Sequence, residues 1–148
     1  METVVEGVGR SRRRRLVMLA AERARDPKII EKLAADGTDF NLSGDEGYSP
    51  LSFAVTHNPN PEVVRAIVRE ALGPNPQDKE IEVYAVMAAY SNPNPKVLAL
   101  ILGSGFDPDV GQWTIDDLLR AAAFENTNPE VVKMLLARGA EIDSRDEN

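Results

Sequence analysis

The 148-residue chain contains no cysteine and only one histidine, His57. Without thiols it can form neither disulfides nor thiolate metal sites, and a single imidazole excludes every site that requires two. Aromatic residues make up only 5% of the sequence, which suits close helix packing better than a β-sandwich rich in Tyr, Trp and Val. No segment approaches the ~18 consecutive apolar residues that a membrane span requires. Together these absences argue against most enzymes and against a membrane-spanning protein.

Charge is unevenly distributed along the chain. Residues 1–25 contain seven Arg and three Glu (+4), whereas the rest contains 10 basic and 21 acidic residues (−11), which gives the net charge of −7. Phosphate backbones are bound mainly through Lys and Arg, so the acidic body disfavours nucleic acid as the main partner. The Arg12–Arg15 run precedes only six apolar residues, fewer than the ~7–15 of an export signal. We therefore expect a cytoplasmic protein.

One local pattern occurs four times. An Asp or Asn followed by Pro places prolines at positions 27, 61, 95 and 129, so that successive prolines are 34 residues apart. An alanine stands seven residues before each proline, at positions 20, 54, 88 and 122. Such a period is typical of helical repeat arrays. We expect a flexible basic tail at residues 1–11 and one repeat domain at 12–148, with repeats at approximately 12–45, 46–79, 80–113 and 114–148.

Each repeat carries signals for two helices, which we call helix A and helix B. Asp or Asn before Pro starts helix B, because the side chain caps free N–H groups and Pro fits the first helical position. The segment Pro129–Leu136 shows the apolar spacing of one helical stripe. Gly37, Gly105 and Gly139 fall where a helix ends in a left-handed residue. The small residues of helix A allow neighbouring helices to approach closely.

The units resemble ankyrin repeats. Gly47–Val55 is similar to the family's Gly-x-Thr-Pro-Leu-His-x-Ala-Ala entry into helix A, with Ser52 in place of the His. Pro129–Asp143 is similar to its Glu-Val-Val-Lys-Leu-Leu-Leu-x-x-Gly-Ala-Asp-Val-Asn ending. The extra residue relative to the family's ~33 lies in the Asn-Pro-Asn-Pro loop between the helices. The tetratricopeptide repeat shares a period of ~34, but its Trp, Gly, Tyr and Pro offsets fit less well.

The resemblance implies an all-α, ankyrin-like helix-turn-helix solenoid of four repeats that binds another protein without catalysis, cofactor, metal or small-molecule substrate. In the family, variable contacts lie on the hairpin tips between repeats and at the exposed end of helix A. Because acids there are combined with aromatic anchors, we expect a basic, partly apolar protein segment as the partner. Carried over by position, the expected partner-binding residues are Asp45, Glu46, Tyr48, Thr56, His57, Lys79, Glu80, Glu82, Tyr90, Trp113, Asp116, Phe124 and Glu125.

The remaining motifs do not indicate chemistry. Asp107–Gly111 begins like a calcium loop, but Gln112 stands where that loop needs Gly, and Leu118 where it needs a bidentate Glu. His57 has no Ser-His-Asp order and no second ligand that would place it in a catalytic or metal site.

Two alternative functions stay open at this point. The protein could be a scaffold that self-associates through its end faces, or an adaptor that the Arg12–Arg15 run tethers to an anionic surface or to nucleic acid. Terminal units of a solenoid need a polar outer face, yet helix B of the fourth copy carries an apolar row within Val131–Leu136. We therefore also expect this end to form a homodimer through the C-terminal repeat or to dock a partner.

Overall fold

The computed structural model describes residues 2–44, 47–76, 78–109 and 111–142. Across these ranges the chain forms eight α-helices and no strand, which confirms the expected all-α fold. The helices are α1 (Glu2–Arg23), α2 (Pro27–Ala35), α3 (Pro50–His57), α4 (Pro61–Leu72), α5 (Asp78–Ser91), α6 (Pro95–Leu102), α7 (Ile115–Glu125) and α8 (Pro129–Ala137).

The helices form two parallel layers. The odd-numbered helices are the four helices A, and each packs against the next, α1 on α3, α3 on α5 and α5 on α7. The even-numbered helices are the four helices B and stack in the same order. Within each repeat, helix A packs on its own helix B. This pattern of neighbour contacts is that of a solenoid.

Helix starts and ends follow the sequence signals. All four helices B begin at a Pro, and the preceding Asp or Asn accepts a hydrogen bond from the N–H two residues further on. Gly37 and Gly139 directly follow the C-caps of α2 and α8 and have φ of 81° and 97°, as the sequence predicted. Gly105 also has a positive φ, 121°, but it lies three residues after α6 ends at Leu102, and the C-cap of that helix is Gly103, with φ of −75°. At the start of α3, Ser52, which replaces the family's His, forms a reciprocal capping box with Ser49.

The small residues of helix A lie at the interfaces between repeats. Ala21, Ala54, Ala88, Ala89 and Ala122 are all fully buried, which allows the close approach of neighbouring helices that the small residues of helix A predicted. The larger core side chains, among them Phe40, Ile67 and Ile101, are buried and belong to the same hydrophobic cluster. The four repeats thus share one continuous hydrophobic core.

Asparagine side chains join each repeat to the one before it. The Nδ2 amide of Asn92 donates to the carbonyls of Val55 and Asn58, at 2.9 Å each, and that of Asn94 donates to Pro59 O. The same bonds recur one repeat earlier and one repeat later, from Asn58 to Ala21 and Ala24, from Asn60 to Arg25, from Asn126 to Ala89 and Asn92, and from Asn128 to Pro93. We call these six amide side chains the asparagine ladder.

The N-terminal segment differs from the expectation. Residues 2–11, expected as a flexible tail, belong to helix α1, which begins at Glu2. Arginine is a good helix former, and the Arg13 guanidinium donates to Asp36 O at 2.6 Å, at the C-terminal end of α2. This contact places a cation where the helix dipole of α2 is negative.

At the C-terminal end of the solenoid, the apolar side chains of α8 are less exposed than expected. Val131 and Leu135 are fully buried, and the other apolar side chains of the row are half-buried against the core. The exposed large apolar side chains of this repeat are instead Phe124 and Ile142, at 77% and 78% exposure. The expected exposed row therefore packs largely against the core.

Candidate functional site

The expected surface presents exposed aromatic side chains from three repeats. Tyr48 lies just before α3, Tyr90 near the end of α5, Trp113 just before α7, and Phe124 near the end of α7. All four are among the exposed large side chains of the protein. Their ring surfaces are therefore available for contact.

Tyr90 and Phe124 form a stacked pair, which we call the aromatic step. They occupy equivalent positions in adjacent repeats, and their ring centroids are 6.1 Å apart with an interplanar angle of 27°. Phe124 nevertheless stays 77% exposed, because Tyr90 covers only one side of its ring. The equivalent position of the second repeat is Thr56, which has no aromatic ring and whose hydroxyl donates to Ser52 O. The stacking of rings from one repeat to the next therefore stops at Tyr90.

A second aromatic group lies along α3. The Tyr48 ring meets Phe53 edge to face, with centroids 5.7 Å apart, and Phe53 in turn contacts the exposed His57 ring at 5.4 Å. This row connects the loop before α3 to the C-terminal end of the helix. The structure thus brings Tyr48 and His57, which the sequence placed in the site separately, onto one row.

Trp113 is positioned by the start of α7. The next residue, Thr114, is the N-cap, and its N–H and hydroxyl both donate to Asp117 Oδ2 at 2.8 Å. Burial by itself raises the pKa of Asp117, but the hydrogen bonds from Thr114 and the nearby Arg120 guanidinium outweigh it, so that the pKa lies below its ordinary value. Asp117 is therefore an ionised cap at neutral pH and fixes the loop end that carries Trp113.

The acidic residues expected in the site differ in accessibility. Glu80 and Glu125 are exposed. Asp116 is half-buried and accepts a hydrogen bond from the Glu141 N–H at 2.8 Å, so it holds the segment after α8. Asp45 and Glu46 lie outside the described residues, as does the Lys79 side chain.

Glu82 is not on the exposed surface, and its assignment there is wrong. It is only 4% exposed. Its carboxylate lies over Gly111, where a Cβ atom would collide with it, because the loop before α7 folds across this part of α5. Its Oε1 atom has no hydrogen-bond partner among the described residues.

Sequence reasoning missed an open groove on the opposite, helix-B side. The groove has a volume of about 430 Å³ and lies between α6 and α8, with Lys96, Lys133 and Arg138 on its walls. Glu130 accepts a hydrogen bond from Lys133 at 2.8 Å and raises the Lys133 pKa. The sequence signal that could have indicated this groove is Ala99, a small residue at the position where the other repeats carry Glu or a basic residue.

The arginine run makes contacts with its own chain. Arg13 binds Asp36 O, and the Arg14 guanidinium packs over the Gly44 backbone. Both side chains thus help to attach α1 to the rest of the first repeat. Arg13 and Arg14 therefore have a structural role.

Neither a metal site nor a membrane span is evident in the ranges described. No group of three or more His, Cys, Asp or Glu side chains there could hold a metal ion. None of the helices described combines the length and the apolar character needed to cross a bilayer.

The fold defines an all-α helical-repeat solenoid of four helix pairs. The ankyrin-repeat family model matches residues 118–147, which include most of α7 and all of α8. The resemblance predicted from the sequence is thus confirmed for the fourth repeat, and the other three share its helix pairing. Ankyrin repeats are generally protein-binding modules and typically not enzymes. No curated protein matches the chain.

Proposed function

We propose that this protein is a non-catalytic interaction module that captures a basic, partly apolar protein segment. The binding surface comprises the aromatic step, the Tyr48–His57 row, Trp113 and the exposed acids Glu80 and Glu125. The observation that carries this proposal is the aromatic step, in which Phe124 keeps 77% of its surface in water although it stacks on Tyr90.

An exposed phenylalanine favours a partner contact. Aromatic side chains bury about 150–250 Å² each when covered and are typical anchors of protein interfaces. Stacking on Tyr90 holds the Phe124 ring in one orientation, so a partner would lose little entropy in ordering it. The step is therefore a preorganised apolar anchor.

Charge favours a basic partner. Glu125 follows Phe124 directly, and Glu80 is exposed near the start of α5. The chain beyond residue 25 has a net charge of −11 (10 basic against 21 acidic residues). Such a field speeds the association of basic segments and makes it sensitive to salt. The same acidity opposes nucleic acid as the main ligand.

The alternatives receive less support. Tethering to an anionic surface would need the arginine run, yet Arg13 and Arg14 contact their own chain. Self-association through the apolar row of α8 would need side chains that are buried or half-buried. We propose a cytoplasmic location; the chain has no cysteine, so it does not depend on the oxidising compartments in which disulfides form.

The proposal is tested by titrating the full chain with a panel of Lys- and Arg-rich peptides that carry one or two aromatic or aliphatic residues. Trp113 is the only tryptophan, so its fluorescence reports binding directly. We expect the double variant Phe124→Ala with Tyr90→Ala to bind the best peptide about tenfold or more weakly, since each interface anchor contributes ~1–2 kcal/mol or more of binding free energy.

The matched control is Ile29→Ala, which removes an exposed apolar side chain from α2, away from the proposed surface. It should leave the affinity unchanged. Equal loss in both variants, or no loss in the double variant, would show that the surface is misplaced.

A further inference from the structure

The open groove between α6 and α8 combines an apolar base with a positively charged rim. Its half-buried residues are Pro95, Ala99 and Met134, and its exposed residues are Lys96, Glu130, Lys133 and Arg138. Three of the four exposed side chains are therefore cations. We call this groove of about 430 Å³ the basic groove.

Two cations of the basic groove have no carboxylate partner. Lys133 donates to Glu130 Oε1 at 2.8 Å, which occupies the carboxylate of the groove. Within the part of the chain that the structure describes, neither Lys96 nor Arg138 forms an ion pair. Lys96 lies in the first turn of α6 and Arg138 is the C-cap of α8. Unpaired positive charge thus lies at both ends of the groove.

The other junctions between helices B carry different residues at the equivalent positions. Between α4 and α6, the 34-residue register places Arg65 where the groove has Ala99, and Arg65 pairs with Glu62 at 3.5 Å. The same register places Ser104 where the groove has Arg138. Between α2 and α4 the equivalent charged residues are Lys28, Glu31, Glu62, Arg65 and Glu70. The excess of unpaired positive charge beside a small residue is therefore specific to the junction of α6 and α8.

The basic groove belongs to an acidic protein, and this limits the size of its ligand. The chain has a net charge of −7, whereas the charged residues that line the groove are mainly basic. At physiological ionic strength, charges are screened beyond about 8 Å. A short anionic segment confined to the groove is therefore attracted mainly by Lys96 and Arg138. A long polyanion such as nucleic acid would also lie over the acidic surface around the groove and be repelled.

The length of the groove corresponds to a few residues of extended chain. Glu130 and Arg138 are eight residues apart on α8, so that a rise of 1.5 Å per residue gives a length of about 12 Å. An extended chain advances about 3.3 Å per residue, so that about four residues span this distance.

We propose that the basic groove binds an extended acidic segment of a partner protein, with a carboxylate near each end and an apolar side chain between them. The two carboxylates pair with Lys96 and Arg138, and the apolar side chain packs on Ala99 and Met134. Methionine adapts its shape to an irregular neighbour, which suits this central contact. This surface lies on the helix-B layer, opposite the aromatic step, and it selects a ligand of the opposite charge.

The chain that follows α8 leads towards the other helix layer. The Glu141 N–H donates to Asp116 Oδ1 at 2.8 Å, which attaches this segment to the first turn of α7. The bond holds the segment beside a helix A, so that the groove between two helices B stays open to a partner.

The first test titrates the full chain with a fluorescein-labelled, end-capped peptide that contains Glu-Asp-Leu-Glu, followed by fluorescence anisotropy. Lys96→Glu with Arg138→Glu should weaken binding at least about tenfold, because two attractive charge pairs become repulsive. The matched control, Lys28→Glu with Lys32→Glu, changes the net charge equally on exposed positions of α2 and should alter the affinity by no more than about twofold. Equal losses in the two double variants, or no binding to the wild-type chain at millimolar peptide, would overturn the proposal.

The second test measures the contribution of the groove's shape without changing its charge. Ala99→Gln places a longer neutral side chain where the preceding repeat carries Arg65. Glutamine is a good helix former, and far-UV circular dichroism would verify that the variant is folded. We expect the peptide to bind at least about threefold more weakly, since the side chain occupies the base of the groove. An unchanged affinity would show that the peptide binds elsewhere and would overturn the proposal.

Three other results would assign the groove to a different occupant and overturn the proposal. The first is equally tight binding of a short oligothymidylate with the same net charge as the peptide. The second is peptide binding that occurs only after Asp146→Asn with Glu147→Gln, which would show that the chain's own end fills the groove. The third is a wild-type dimer that Lys96→Glu with Arg138→Glu separates. Binding of basic peptides, measured by Trp113 fluorescence, should persist in the groove variants, so the two proposed surfaces are tested independently.

Discussion

Replacing Asn92 by Ala should be among the most destabilising changes in the protein. Asn92 is fully buried and donates to Val55 O and Asn58 O at 2.9 Å each, while its Oδ1 accepts the Asn94 N–H at 3.0 Å. Truncation leaves these three backbone groups without their partner, and each unsatisfied buried group costs ~1–3 kcal/mol. Because water can enter part of the opened space and satisfy some of these groups, we expect the free energy of unfolding to fall by about 3–5 kcal/mol in total.

Asn126→Ala provides a matched comparison. Asn126 makes the equivalent hydrogen bonds but is only half-buried. Water can replace some of these bonds in the variant, so we expect the free energy of unfolding to fall by only about 1–2 kcal/mol. Asn75→Ala, in the exposed connection after α4, is the surface control. Urea unfolding would be followed by far-UV circular dichroism and by Trp113 fluorescence. A loss for Asn92→Ala no larger than that for Asn126→Ala would refute the reasoning.

Three further predictions concern single contacts. Gly111→Ala should destabilise the fold by about 1–3 kcal/mol, since the new Cβ displaces the buried Glu82 carboxylate, and a double-mutant cycle with Glu82→Ala should show coupling. The pKa of Asp117 is lowered in the folded state. The ionised carboxylate therefore stabilises the fold at pH values above the ordinary pKa, and this stabilisation is lost as the pH falls through the folded-state pKa. Asp117→Asn should make the free energy of unfolding less dependent on pH below about pH 4. Burial raises the pKa of Tyr84, so its stabilisation is lost as pH rises above about 10, and Tyr84→Phe should remove that dependence in alkaline unfolding curves.

The repeat phase predicted the parts of the fold that depend on local sequence. The prolines at the starts of helices B, and Gly37 and Gly139 at the ends of α2 and α8, lie where their spacing placed them. Such features are determined by a few neighbouring residues, namely a cap, a fixed φ or a missing Cβ. The alanines were likewise assigned to helix packing because their positions recur in every copy.

Features that depend on contacts between repeats could not be predicted. Glu82 is equivalent to the exposed Tyr48 and the half-buried Asp116, and only the fold of the loop at Gly111 buries it. The sequence assigns the loop asparagines only to the caps of helices B and to the Asn-Pro-Asn-Pro loop, since one repeat alone does not show that Asn92 reaches back to Val55. A period identifies equivalent positions but does not show which neighbour each side chain contacts.

The most direct measurement of the proposed binding surface is amide chemical-shift mapping of the full chain during titration with the best basic peptide. We predict that the perturbed amides cluster at the ends of α3, α5 and α7 and in the loops before α3 and α7, with the largest changes around Tyr90 and Phe124. Little change is expected along α2 and α4. Perturbations concentrated on the helix-B side, for example in the groove between α6 and α8, would contradict the proposed surface.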